Sequence, residues 1–219
     1  MGNERITEDI VRERLKSNRS TYPNVEIYEQ KPSSPRIQKL LKQASKSGNG
    51  EGKPEFILTF QEEPNLIIVI ECKADTKYHQ SKNLQNYKDY SVDGVLLYSS
   101  YLSKDFDVLS IAVSGENEND LRISHFLQLK GESKAHEIFG DKLLSFENYI
   151  KEYKQDERKF KQSYDDLFKY SKQLNEKLHS KKVKEADRSL LISGILIALD
   201  EESFKISYDK QKNPKNLAE

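Results

Sequence analysis

The sequence predicts an α/β fold, in which a mixed β-sheet is flanked by helices and followed by an α-helical C-terminal region. Three patterns support this prediction. The run Leu66–Ile70 is continuously apolar, which is typical of a strand covered on both faces. The preceding segment Glu55–Phe60 predicts a second strand, and Pro64 and Asn65 between the two runs are turn formers. Beyond about residue 139, apolar residues recur at spacings of three and four, which indicates amphipathic helices.

The first predicted element is a helix over residues 7–15. Thr7 is a suitable N-cap, and acidic residues follow it in the first turn, where the helix dipole favours them. Residues 32–54 then combine a short helical segment around residues 37–41 with a polar stretch, residues 45–53, that contains three glycines. This stretch lacks the glycine spacing of phosphate-binding loops, so we interpret it as a flexible loop.

Charged side chains end the second strand of the predicted hairpin. Side chains alternate between the faces of a strand, so Glu71 and Lys73 share one face while Cys72 points into the protein. The hairpin places Glu55 near Glu71. Two carboxylates held together repel each other, and a hard divalent cation relieves this repulsion while accepting phosphate oxygens. With Lys73 as an adjacent ammonium group, these side chains suit the hydrolysis of phosphodiesters.

Further elements are predicted after the hairpin. Residues 81–90 are expected to form a helix. Gly94–Tyr98 and Val108–Val113 are predicted as short strands, joined around residues 102–106 by a connection long enough for a small crossover. Leu121–Leu129 is predicted as an edge strand. Together with the preceding helix and hairpin, these elements predict a mixed sheet with helices on its faces.

The C-terminal part of the chain is predicted to be helical. One amphipathic helix covers residues 146–174, and a second begins near Asp187. Within the second, Leu190–Leu199 is strongly apolar but too short to cross a membrane, so we expect other protein surfaces to cover it. Phe204 and Tyr208 are expected to continue that surface.

Composition narrows the classes of protein. One Cys among 219 residues excludes a disulfide framework, and a reducing, cytoplasmic setting is expected. The sequence has neither a membrane-spanning apolar stretch of about 18 residues nor the apolar core of a signal peptide, so no membrane partner is expected. Lys plus Arg and Asp plus Glu both number 36, so the chain lacks the basic field of a stand-alone nucleic-acid binder.

The charged residues at the hairpin resemble a known motif. Pro54-Glu55 and Glu71-Cys72-Lys73 are similar to the PD-(D/E)XK nuclease motif, with Glu55 where most members have Asp. The resemblance implies a DNA endonuclease that uses Mg²⁺, which Mn²⁺ can replace. It implies that Glu55 and Glu71 bind the metal together with the backbone carbonyl of Cys72, and that Lys73 assists the attacking water.

Further site residues are expected around this motif. A first-helix acid adds a third carboxylate in some members of that superfamily, and Glu8 or Glu13 is the candidate here, with Glu8 preferred; an ordinary solvated acid is the alternative. DNA contacts are expected from Lys53, Lys77 and His79, for which exposed side chains without a ligand are the alternative. Lys46 is a candidate DNA contact like Lys53, with an exposed side chain without a ligand as the alternative. His125 is expected to be structural.

Segments 71–79, 90–98 and 112–116 are similar to the N-terminal nuclease domain of single-chain restriction–modification enzymes of the type IIG kind. This resemblance implies a restriction-endonuclease-like nuclease domain in residues 1–138 and a helical connector in residues 139–219. The connector would lead to methyltransferase and target-recognition domains outside this chain, which would hold double-stranded DNA. The sequence contains no Asn-Pro-Pro-Tyr or Asp-Pro-Pro-Tyr motif, so we do not expect this chain to methylate DNA.

Two alternatives to the nuclease remain open. The chain could be a catalytically inactive DNA-binding or scaffold module of the same fold, which the Glu55 departure supports. The helical part could instead be a partner-binding surface, with the nuclease residues incidental, although the intact Glu71-Cys72-Lys73 argues against this. Binding of divalent cations separates the nuclease from both alternatives.

Overall fold

The computed structural model describes residues 3–46, 48, 50–138 and 140–200. The chain divides into two compact units, residues 1–159 and residues 160–219. The helices of the first unit are α1 (Glu4–Thr21), α2 (Pro35–Leu41), α3 (Ser91–Leu102) and α4 (Phe146–Gln155), with a 3₁₀ turn at Thr76–Tyr78. Its strands are β1 (Val25–Glu29), β2 (Phe56–Phe60), β3 (Leu66–Lys73), β4 (Asp107–Ser114), β5 (Arg122–Gln128) and β6 (His136–Glu137).

The six strands form one mixed sheet in the order β1-β2-β3-β4-β5-β6. Strands β3 and β4 run parallel, and every other pair of neighbours is antiparallel. Helix α3 is the crossover that a parallel pair requires. The predicted α/β fold with a mixed sheet is therefore confirmed, and so is the β2–β3 hairpin.

Apolar clusters cover both faces of the sheet. In β3, Ile68, Ile70 and Cys72 belong to the cluster that α1 and α4 also join, whereas Ile67 and Val69 belong to the cluster that includes α2 and α3. This alternation is the two-residue period of a strand. It confirms the inward position of Cys72 and directs Glu71, the next residue of the second set, toward α3.

Two predicted elements between the hairpin and β4 are wrong. Residues 81–90 form turns rather than a helix, and Leu84 has a φ of 57°, outside the right-handed helical region. The predicted strand Gly94–Tyr98 lies inside α3, whose buried Val92, Val95 and Leu102 recur with helical spacing. A short apolar run does not distinguish a buried strand from a buried helix, and here the crossover geometry decides.

Other element boundaries also differ from the sequence prediction. Strand β1 was not predicted, although it pairs with β2 along its whole length. The predicted edge strand is β5, but β6 pairs on its outer side. Helix α1 begins earlier than predicted, with Asn3 rather than Thr7 as its N-cap. Thr7 is buried and donates a hydrogen bond to the carbonyl oxygen of Gly115 at 2.8 Å.

The first compact unit includes α4, which follows the boundary predicted at residue 138. Phe146, Tyr149, Ile150 and Tyr153 of this helix are buried in the cluster on the α1 face of the sheet. At the start of β4, Asp107 accepts hydrogen bonds from the Tyr153 hydroxyl at 2.6 Å and from the Lys159 ammonium at 2.7 Å. These contacts explain why the unit extends to Lys159.

The second unit, as far as the structure describes it, is helical. Its helices are α5 (Glu157–Ser180), which begins in the first unit, and α6 (Glu185–Asp200). The predicted cover of the apolar run is not found among the described residues, because Leu190 is 75% exposed and Ile197 is 72% exposed. Within the described part of the chain, no helix has the length and apolar character needed to cross a membrane. Phe204 and Tyr208 lie outside the described residues.

Candidate metal centre

Glu55 and Glu71 lie at neighbouring ends of β2 and β3. The strand register pairs Phe56 with Ile70, so Glu55, which directly precedes β2, is brought beside Glu71. The Glu71 side chain is fully buried, and that of Glu55 is 14% exposed. The ammonium group of Lys46 contacts the carboxylate of Glu71 and lies 4.0 Å from Oε1 of Glu55. The hairpin therefore brings two buried carboxyl groups to one place, as the sequence predicts.

Each of these carboxyl groups has one buried oxygen without a hydrogen bond. Among the described residues, the only partner for Oε2 of Glu55 or Oε2 of Glu71 is the other carboxyl group, and that hydrogen bond requires one of the two groups to be protonated. Burial raises the pKa of Glu55, and the negative charge of Glu71 raises it further. A buried polar atom without a partner costs roughly 1–3 kcal/mol. A cation between the two groups would supply the missing partner to both.

Lys73 lies beside the same pair. Its ammonium group binds the carboxylate of Glu4 and is 3.4 Å from Oε1 of Glu71. Burial lowers the pKa of Lys73, but the charge of Glu71 and the hydrogen bond to Glu4 outweigh this effect, and the net shift is upward. Lys73 is therefore a positive charge held at the rim of the site.

Helix α1 adds acidic groups next to Glu55. Carboxylate oxygens of Glu4, Glu8 and Glu55 lie within 4.8 Å of one another. Burial and the charge of Glu4 raise the pKa of Glu8. The alternative candidate, Glu13, is exposed and forms an ion pair with Lys16 at 2.8 Å, so it is not part of the cluster.

Sequence reasoning missed Glu4 because it placed the start of the helix at Thr7. Glu4 and Glu8 are four residues apart, which places them on the same face of α1 once the helix begins at Glu4. Asn3 is a suitable N-cap residue, and recognising it as the start of the helix would have identified Glu4. The fully buried Glu71 with its unpartnered oxygen, together with this cluster, defines the candidate metal centre as Glu4, Glu8, Glu55 and Glu71.

Cys72 lies between the two charged residues of β3. Its thiol is buried in the core, and burial raises the pKa of the thiol well above its usual range. The side chain is therefore not a metal ligand. A role for the backbone carbonyl of Cys72 stays a prediction.

Sequence reasoning treated Lys46 as a loop side chain, but the structure places it inside the centre. Besides its contacts with Glu71 and Glu55, its ammonium group lies 5.5 Å from the centroid of the buried Tyr98 ring. Burial lowers the pKa of Lys46, and the charges of Glu71 and Glu55 reverse this, so the net shift is upward. No local pattern distinguishes Lys46 from the other lysines of its loop, because its partners are distant in sequence.

Helix α3 approaches the centre closely at Gly94. A Cβ atom at this position would lie 3.2 Å from Cδ of Glu71 and 2.9 Å from the carbonyl oxygen of Tyr87. The preceding residue, Asp93, is buried and accepts hydrogen bonds from the backbone N–H groups of Ser81 and Asn86 at 3.1 and 2.8 Å. Asp93 thereby organises the turns that replace the predicted helix, and Gly94 leaves room for Glu71.

The three predicted DNA-binding residues have different positions. Lys53 is exposed in the loop before β2. Lys77 is exposed, forms an ion pair with Asp75 at 2.9 Å and lies 5.0 Å from the centroid of the Tyr78 ring. Lys77 also lines a groove of about 710 Å³. The other lining residues are Glu4, Lys73, Ala74, Asp75, Tyr78, Lys88 and Asp89.

The expected DNA contact by His79 does not agree with its burial. Its ring nitrogens lie 2.8 Å from the Ser114 hydroxyl and 3.0 Å from the Ser124 hydroxyl, so His79 links the segment after β3 to β4 and β5. Burial and the charge of Arg122 lower the pKa of His79 to about 4. His125 is also buried and contacts the Gly140 carbonyl and the Tyr149 hydroxyl, which confirms a structural position.

The arrangement provides oxygen ligands for a hard divalent cation, an adjacent ammonium group and an open groove. Carboxylates are ligands that Mg²⁺ binds together with water and phosphate. Comparison of the chain with protein-family models, curated proteins and solved structures gave no match. The function of this chain is therefore inferred from its own side chains.

Proposed function

We propose that this chain is a Mg²⁺-dependent DNA endonuclease, a phosphodiester hydrolase of the restriction type. The observation that carries the proposal is the buried Glu55–Glu71 pair, in which each carboxyl group keeps one oxygen without a hydrogen-bond partner among the described residues. Burying carboxyl oxygens without hydrogen-bond partners lowers the free energy of unfolding, unless a bound ligand contacts these oxygens. Mn²⁺ is expected to replace Mg²⁺, because it also binds oxygen ligands.

Each charged residue has a role in this proposal. Glu55 and Glu71 hold the cation, with Glu8 and Glu4 as further carboxylates within reach of Glu55. A bound cation supplies a more acidic water and shields charge on the phosphate. Lys73, 3.4 Å from Glu71, orients the attacking water or stabilises the negative charge that develops on the phosphate.

The groove next to the centre is the proposed path of the DNA strand. Its lining includes Glu4 and Lys73 of the centre together with Lys77 and Lys88, whose ammonium groups suit phosphate contacts. Acidic residues line the groove as well, so its charge is mixed. This agrees with the balanced charge of the whole chain and predicts weak DNA binding by the chain alone.

The wider assignment rests on the sequence resemblance. The Glu71-Cys72-Lys73 motif supports a PD-(D/E)XK nuclease, and residues 160–180 and 185–200 are helical, as a connector would be. Methyltransferase and target-recognition domains on the same polypeptide are the proposed partners that hold the DNA. Tight binding of short non-specific DNA duplexes by this chain at physiological salt would contradict the proposal that other domains hold the DNA.

Plasmid cleavage tests the proposal. Supercoiled plasmid is incubated with a high concentration of the protein and Mg²⁺ or Mn²⁺, and nicked and linear products are followed. We expect metal-dependent cutting that Glu71→Gln and Lys73→Met each reduce at least a hundredfold, since single groups of this kind contribute on the order of 10²–10³. Glu13→Gln, an exposed acid on α1, is the matched control and should cut normally. Equal cutting by all four proteins would contradict the proposed centre.

An inactive DNA-binding or scaffold module is the second candidate. The contact between Lys46 and Glu71 favours it, because a permanent internal ion pair would satisfy the buried carboxylate without a metal. The two candidates differ in metal binding. If the chain is a nuclease, calorimetric titration should show Mn²⁺ binding that Glu71→Gln abolishes. If it is the inactive module, the titration should show no heat of Mn²⁺ binding.

A further inference from the structure

We propose that Lys46 is a built-in counter-ion that occupies the cation position between Glu71 and Glu55, so that a divalent metal binds only after the Lys46 side chain has moved out. This inference rests on the proposed metal centre and adds a form of regulation to it. The starting observation is that the Lys46 ammonium contacts Oε1 of Glu71 and is 4.0 Å from Oε1 of Glu55. No other described ammonium group contacts both carboxyl groups.

Charge explains why the ammonium and the metal exclude each other. Both are cations that bind the same carboxylate oxygens. The Lys46 side chain is only 18% exposed, so solvent would screen the repulsion between its ammonium group and a metal weakly. The carboxyl groups of the centre come from four residues, whereas the lysines facing them are Lys46 and Lys73. Removing Lys46 from this set increases its excess of negative charge and so strengthens its attraction for a divalent cation.

Lys46 rather than Lys73 is the lysine that can leave. Lys73 belongs to β3 and binds Glu4 as well as Glu71, so its position is set by the sheet and by α1. Lys46 belongs to the connection between α2 and β2. Its described charged partners are Glu71 and Glu55, the groups that the metal would bind. A metal bound to Glu71 and Glu55 would therefore replace the ion pairs that hold Lys46 in this position.

The test is calorimetric titration of the whole chain with Mn²⁺. Lys46→Met keeps the length of the side chain and removes its charge, and we expect it to bind Mn²⁺ at least roughly tenfold more tightly than the unchanged protein, which corresponds to about 1.4 kcal/mol. Lys46→Arg keeps the charge and should not show this gain. Lys42→Met, at an exposed lysine of the same connection between α2 and β2, is the matched control and should bind Mn²⁺ like the unchanged protein.

Lys73→Met tests whether Lys46 acts by occupying the metal position or only by adding positive charge near it. It removes the same charge beside the same carboxylate, so a gain equal to that of Lys46→Met would overturn the proposal. Unchanged, weaker or absent Mn²⁺ binding by Lys46→Met would also overturn it. Circular dichroism checks folding, and Lys46→Gln is a second neutral variant.

Thermal unfolding gives a second readout that does not depend on cleavage. Without metal, Lys46→Met should unfold at a lower temperature than the unchanged protein, because Glu71 loses its counter-ion. Added Mn²⁺ should raise its unfolding temperature more than that of the unchanged protein. Tighter Mn²⁺ binding by Lys46→Met without plasmid cleavage would count against the nuclease and support the counter-ion role. Cleavage with unchanged Mn²⁺ affinity would support the nuclease and overturn the counter-ion role.

Discussion

Glu55 is held in a position that favours ligand binding over folding stability. Burial and the charge of Glu71 raise its pKa above the usual 4.5, so the folded state binds this proton more tightly than the unfolded state does. The contribution of Glu55 to stability is therefore fully present below pH 4.5 and is lost as the pH rises toward the raised pKa. A metal bound at the proposed centre would offset this cost, because it would take the place of the proton.

We expect Glu55→Gln to stabilise the metal-free protein by roughly 1–3 kcal/mol at pH 8, because Glu55 has to take up a proton on folding at this pH and an amide does not. The gain should shrink at pH 4.5, where Glu55 is largely protonated in the folded state and about half protonated in the unfolded state. Urea unfolding at both pH values measures the difference. Glu13→Gln, at an exposed position, should change little at either pH, and a loss of stability at pH 8 in Glu55→Gln would contradict the prediction.

His79 has the opposite pH dependence. Its pKa is lowered from 6.5 to about 4, so the folded state resists protonation and the stability it contributes is present above pH 6.5. That contribution is lost as the pH falls from 6.5 toward 4, and the shift corresponds to roughly 3 kcal/mol. The neutral ring donates one hydrogen bond and accepts the other in its contacts with the Ser114 and Ser124 hydroxyls, and protonation would remove the acceptor.

We expect His79→Asn to flatten the loss of stability between pH 7 and pH 4, although the variant should be less stable at pH 7 because the bridge to both serines is lost. Urea unfolding across this range provides the measurement. His136→Asn is the control, because His136 is exposed and should leave the slope unchanged. An unaltered slope in His79→Asn would show that other groups cause the acid sensitivity.

At the scale of elements, the close approach of α3 to β3 shapes the candidate metal centre. The helix reaches Glu71 because Gly94 has no side chain. Parallel strands need such a crossover, so the element that completes the sheet also forms a wall of the centre.

Gly94→Ala should destabilise the protein by about 1–3 kcal/mol, because the added methyl group would press against Glu71 and the Tyr87 carbonyl. We also expect weaker Mn²⁺ binding, since Glu71 has to move. Thermal unfolding and calorimetry measure the two effects. Gly194→Ala is a matched control in α6, where a Cβ meets nothing within 4 Å, and it should be neutral or slightly stabilising.

At the scale of the whole molecule, α4 belongs to the unit that holds the sheet. Phe146 is fully buried and packs edge-to-face against Phe60 with ring centroids 6.0 Å apart. Tyr153 and Lys159 both bind Asp107 at the start of β4. A boundary at residue 138 would remove these contacts from the core, whereas the second unit begins after them.

We expect Phe146→Ala to lower the free energy of unfolding of the first unit by about 3–5 kcal/mol, the usual cost of removing a buried aromatic ring. Phe168→Ala, at a position that is 65% exposed, should change it by less than about 0.5 kcal/mol. Urea unfolding compares the two variants. Similar, small effects of both would show that α4 is not part of the core.

Local sequence patterns predicted the part of the centre that lies on one hairpin. Two-residue alternation and the turn at Pro64 and Asn65 are properties of neighbouring residues, and they were enough to bring Glu55, Glu71 and Lys73 together and to bury Cys72. The same patterns failed for α3, because an apolar run is compatible with a strand or a helix until its neighbours are known.

The sequence by itself determined a mixed α/β sheet with a charged hairpin end. Only the tertiary structure decided that Glu4 and Lys46 belong to the centre, that His79 lies inside the protein and that α4 completes the core. Each of these outcomes depends on contacts between residues far apart in the chain, such as Lys46 with Glu71 and Tyr153 with Asp107. Propensity and spacing describe only near neighbours, so burial and charge pairing at these positions follow from packing alone.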